Sequence, residues 1–88
     1  MQLKNDLDSV IKFRQELTAL SDDLEESRNK VEADVNELNK TWNDPEFQKF
    51  YTRYEEDNEF IKHLIENINE FNDGYLYNTQ VALEEYVS

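Results

Sequence analysis

Leu38-Asn39-Lys40-Thr41-Trp42-Asn43-Asp44-Pro45-Glu46-Phe47 lies at the middle of the chain and holds its only proline. Aspartate is a preferred helix N-cap, because its carboxylate accepts from the unpaired N–H groups of the first turn. Proline suits the first helical position, where no N–H is needed, and the residue before it avoids helical torsions. One helix therefore ends near Trp42 or Asn43, and a second begins at Pro45.

Upstream of this break the apolar residues keep a heptad spacing. Leu3, Val10, Leu17, Leu24, Val31 and Leu38 occupy the d positions, and Leu7, Arg14, Ser21, Arg28, Val35 and Trp42 the a positions. A 3-4 repeat sustained this long marks a coiled-coil or bundle helix, and at about 1.5 Å per residue it spans roughly 60 Å. Ile11, Phe13 and Leu20 widen the seam toward the stripe of a helix with more than one partner. Downstream, a second stripe runs through Phe47, Phe50, Tyr54, Ile61, Leu64, Ile68, Phe71 and Tyr75, with Tyr51 and Ile65 beside it. Gly74 interrupts that stripe at a cost of about 1 kcal/mol relative to alanine in a helix interior. Beyond it the apolar positions drift to Leu76, Val81, Leu83, Tyr86 and Val87, so a bend, a stutter or a frayed end is expected there.

Two helices joined by so short a turn must run antiparallel. The expectation is an all-α, antiparallel two-helix hairpin forming a single domain over 1–88. Helix one covers about 3–42, the turn 43–44 and helix two about 45–85. A chain of 88 residues withdraws only about 60% of its unfolded surface from water even when compact. The large aromatics are also too many for one seam, so the hairpin is expected to dimerise into a four-helix bundle. The expected interface comprises Leu17, Leu24, Val31 and Leu38 from helix one, and Phe47, Phe50, Tyr54, Ile61, Leu64, Ile68 and Phe71 from helix two.

Twenty-one acidic against nine basic side chains give a formal charge of −12. Such a polyanion repels phosphate backbones and anionic membrane surfaces, so nucleic acid is not an expected partner. Residues 43–88 carry eleven of the acids and three of the bases, an imbalance that suits a heterodimer with a similar but more basic hairpin as the alternative to a homodimer. There is no cysteine, hence no disulfide or thiolate metal site. The start of the chain lacks a signal-peptide core, and no apolar run reaches the roughly 18 residues of a membrane span. No membrane insertion is expected, and the chain is expected to be cytoplasmic or secreted without a cleaved signal peptide.

Chemistry-bearing groups are sparse. The lone His63 lies near Glu59 and Glu66, but bundle metal sites use paired Glu-x-x-His motifs with further glutamates. The acid runs Asp22-Asp23-Glu25-Glu26 and Glu55-Glu56-Asp57-Glu59 lack the glycine turn of a cation loop and read as solvated helix faces. No serine or tyrosine has a histidine base in a recognisable arrangement, and no glycine-rich phosphate loop is present. The expectation is no enzyme, no cofactor and no metal. Arg14, Ser21 and Arg28 recur on the seam where leucine or valine would be usual. Either they snorkel at the edge of a wide interface, or they set register by pairing with acids of the facing helix such as Glu66 or Glu70.

A tryptophan closing one amphipathic helix, two residues before a capping position and followed by Phe47 and Phe50, resembles the Trp-Xaa-Gly family of helical hairpins, relatives of the mycobacterial early secreted antigen. The resemblance covers the whole chain in length and layout, and its sequence-specific element is Trp42-Asn43-Asp44. It implies a bacterial hairpin that dimerises into a four-helix bundle and leaves the cell by type VII secretion. Asp44 stands where the family has glycine, and it can cap the following helix as well. The family's export tag, a tyrosine followed four residues later by an acid just after helix two, has no counterpart at Tyr77 or Tyr86. Tyr51 and Glu55 have the spacing but lie inside helix two. In that family one partner's tag can serve both. Two roles suit Trp42: a plug at the hairpin end, burying about 150–250 Å² of ring, and a surface read by the secretion machinery.

Overall fold

The computed structural model describes residues 3–87, so positions 1, 2 and 88 of the expected domain lie outside the described residues. Helix α1 runs over Leu3–Thr41 and α2 over Pro45–Glu70. A π-helical turn follows at Phe71–Leu76, and α3 completes the second arm over Tyr77–Val87. The chain is thus an all-α helical hairpin, with no strand among the described residues. It measures 62 × 16 × 15 Å, its length set by α1, whose 39 residues at about 1.5 Å each reach roughly 58 Å.

The reversal takes three residues. The Trp42 N–H still bonds the Leu38 carbonyl at 2.8 Å, and the α2 ladder begins with Gln48 N–H on Asp44 O at 3.0 Å. Asp44 caps α2 with extended torsions, φ −120 and ψ 128, and its Oδ1 accepts from the Glu46 N–H at 3.3 Å. No described residue adopts a positive φ, so the position asks for nothing that only glycine supplies.

The heptad register does not mark the inner face evenly. Leu3, Val10, Leu17 and Leu24 are half-buried at the d positions, whereas Val31 and Leu38 lie exposed. An untwisted α-helix has 3.6 residues per turn, so a strict seven-residue repeat rotates about 20° per heptad away from a fixed partner. By Val31 and Leu38 the d line has turned off the contact. The a line stays closer to it for longer, with Leu7, Ser21 and Val35 buried. Opposite them lie Phe47, Ile65, Asn72 and Leu76, also buried.

At Phe71–Leu76 the second arm changes phase. The Tyr77 N–H bonds the Asn72 carbonyl five residues back, so one extra residue is wound into this turn and every later side chain is rotated. Leu76 is 6% exposed and its neighbour Tyr75 65%. After the turn the inward line runs Leu76, Gln80 and Leu83, all buried or half-buried. The drift in the sequence beyond Gly74 is this phase change, and the arm continues as helix to Val87.

Candidate interaction surface

Three polar side chains occupy the inner line of α1, and two of them reach across. Arg14 Nε donates to Asn72 Oδ1 at 2.8 Å, and its Nη1 donates to Gln80 Oε1 at 2.8 Å. Its guanidinium lies 5.2 Å from the centre of the Tyr77 ring and 3.7 Å from Asp73 Oδ1. Asn72 is 3% exposed; its Nδ2 donates to the Arg14 carbonyl at 3.3 Å and to Thr18 Oγ1 at 3.0 Å. Ser21 Oγ donates to Asn69 Oδ1 at 2.8 Å. The partners are mostly amides; neither Glu66 nor Glu70 bonds Arg14, Ser21 or Arg28.

Arg28 behaves differently. It bonds within its own helix, to Glu25 at 2.8 Å and Glu32 at 3.0 Å, and the hydrogen bond from Arg28 holds the Glu25 carboxyl below its ordinary value. Nearby, burial pushes the Tyr54 hydroxyl up. That hydroxyl, Arg28 Nε and Asn58 Oδ1 are buried without a hydrogen-bond partner, so the hairpin's middle is its least satisfied level.

The turn end is aromatic. Trp42 stacks on Phe47 at 5.5 Å, Phe47 meets Phe50 at 6.1 Å, and Phe50 stacks on Tyr54 at 6.2 Å. Phe47, 7% exposed, is the plug of this end, while Trp42 lies over it with 51% of its surface open. Asn43 is exposed and Asp44 half-buried beside it.

Seven of the uncovered apolar side chains share one face. Taking Ser21 as the inward direction of α1 and about 100° per residue, Phe13, Leu20, Val31 and Leu38 point about 80–100° to one side. Taking Ile65 as inward on α2, Phe50, Leu64 and Phe71 point about 60–120° in the same rotational sense. In an antiparallel pair the same sense means the same face. All seven are at least 40% exposed. An apolar groove of about 160 Å³ between Leu24, Val31 and Ile61 joins the two helices there. The opposite face presents Ile11, Arg14, Thr18, Ala19, Asp22 and Gln80 around a groove of mixed polar and apolar lining. Of the expected interface residues, Phe47 is buried, Leu17, Leu24, Tyr54, Ile61 and Ile68 are half-buried flanks, and Val31, Leu38, Phe50, Leu64 and Phe71 belong to the open face.

His63 is exposed, 3.6 Å from Glu66, and Glu59 faces Lys62. Among the described residues no group of three or more His, Asp or Glu side chains converges, and no helix is long and apolar enough to cross a membrane. Comparison with known protein families, with curated proteins and with solved structures finds no match to this chain.

Proposed function

We propose that this chain is a non-catalytic helix-binding module, acting in the manner of the small type VII secreted effector or chaperone hairpins that its Trp42-Asn43-Asp44 turn resembles. One observation carries the reading: an apolar face runs the length of a hairpin whose own core is too thin to use it. Leu20, Val31, Leu38 and Leu64 are 40–46% exposed, and side chains of this kind in a continuous patch mark a docking surface. In this reading two hairpins complete a four-helix bundle, as a homodimer or with a similar hairpin, and the half-open Trp42 is the element offered to secretion machinery. The alternative is a structural or adaptor coiled-coil subunit of a larger intracellular or envelope assembly, which the 62 Å reach of the rod suits.

Fractionation of the cells that make the protein separates the two. The first reading expects it in the culture medium, with Trp42→Ala depleted from the medium while its cellular level and helical signal are unchanged. Recovery solely in a large intracellular complex would replace it with the adaptor reading. Equal export of Trp42→Ala and wild type would remove the tip from the proposal.

A further inference from the structure

Independently of the helix-binding reading, we infer that Arg28, Tyr54 and Asn58 form a water-binding site that joins the two arms at the middle of the hairpin. Each supplies a buried polar atom, and the chemistry of the three atoms together selects the occupant.

Taking Ser21 and Ile65 again as the inward directions, Arg28, Tyr54 and Asn58 all point within about 20° of the facing helix. The cross-arm bonds Ser21–Asn69 and Asn39–Gln48 bracket them. In the antiparallel pairing that these two bonds define, Arg28 stands about one turn from Asn58. Arg28 and the Tyr54 hydroxyl also lie close enough to act on each other electrostatically. Arg28 Nε, the Tyr54 hydroxyl oxygen and Asn58 Oδ1 are shielded from bulk solvent and have no partner in the protein. Buried polar atoms left in this way are rare in folded proteins, and internal water commonly satisfies them.

An arginine Nε–H can only donate, an amide oxygen can only accept, and a phenol hydroxyl can do either. A water that accepts from Arg28 Nε and donates to Asn58 Oδ1 therefore links α1 to α2, and the Tyr54 hydroxyl completes its shell directly or through a second water. Ions do not fit the same set. An anion would face Asn58 Oδ1 and the carboxylates of Glu25 and Glu32, which stand 2.8 and 3.0 Å from the Arg28 guanidinium. A cation would face that guanidinium. There is also room, because the groove of about 160 Å³ lined by Leu24, Ser27, Arg28, Val31 and Ile61 is several times the roughly 30 Å³ of a water molecule. Its lining is otherwise mostly apolar, which leaves the Arg28 side as the place where a water is held.

Water–protein Overhauser spectra of the labelled full chain test this, read in both the laboratory and the rotating frame so that dipolar contact is separated from proton exchange. Wild type is expected to show a dipolar cross-peak from the Arg28 Nε–H to a long-lived water. The same peak is expected in Tyr54→Phe, which removes the hydroxyl that could relay a water signal but leaves the water two partners. Asn58→Leu takes away the acceptor. Oxygen-17 relaxation dispersion of the solvent is then expected to lose the amplitude of at least one long-lived water, with the helical circular dichroism signal kept. If that variant does not fold, the first two spectra decide alone. A peak absent from wild type, or lost in Tyr54→Phe, overturns the site, as does a dispersion that a folded Asn58→Leu leaves unchanged. A dispersion in the chloride or sodium resonance that Asn58→Leu abolishes overturns water as the occupant.

Discussion

The two ends of the hairpin are held by opposite means. Toward the open end, beside the buried Leu7 and Leu76, the arms are joined by polar groups far apart in sequence: Arg14 meets Asn72 and Gln80, 58 and 66 residues away. At the turn end they are aromatic and local, since Trp42, Phe47, Phe50 and Tyr54 stack in succession along a few turns of chain. Hydrogen bonds fix geometry and rotation, whereas ring contacts contribute mainly apolar area. The open end therefore sets how the arms are phased, and the turn end supplies cohesion.

Breaking the aromatic end is expected to have the largest effect. Phe47→Ala empties the most buried ring of the turn and should cost about 3 kcal/mol, read as a lowered urea midpoint; a loss under about 1 kcal/mol would mean that the tip is not a core. Asn72→Ala should cost about 2 kcal/mol, because the half-buried Arg14 Nε then loses its acceptor. Hydrogen exchange sharpens the contrast. Asn72→Ala should release the amides of α3 and early α1 while the Phe47 region stays protected, and uniform release would show that the two ends are one cooperative unit. The smallest change is a gain. A Cβ at Gly74 would meet nothing within 4 Å, so Gly74→Ala should add about 0.5–1 kcal/mol. A loss there would show that the π-helical turn draws on glycine's freedom.

This contrast also explains what the sequence made legible. The turn could be read because cap, proline and rings sit side by side, so Trp42-Asn43-Asp44-Pro45 announced the reversal and with it the all-α hairpin. The open end could not be read in the same way. Its partners are separated by most of the chain, and in place of the expected counter-charges Glu66 and Glu70, amides at Asn69, Asn72 and Gln80 fill the role. A signal was present: Asn58, Ile65 and Asn72 recur every seven residues on the inner line of the second arm, and a buried amide at core spacing asks for a polar partner opposite. The heptad frame named the right helix but only part of the right face. A 3.5-residue repeat laid on a 3.6-residue helix turns Val31 and Leu38 outward. The phase change at Phe71–Leu76 showed in the sequence only as a drift of apolar positions.

The placement of the polar clamp also has a mechanical side. The first residues of α1 and the last of α3 lie at the same end of the rod, so tension applied through them would peel the arms apart rather than shear them. Such a load meets Leu7 and Leu83 first, then the Arg14–Asn72–Gln80 group, and the aromatic turn last. The molecule is built as a zipper with a latch a few turns in from its opening, and once that latch yields the arms would part turn by turn until the rings near Trp42 bear the load.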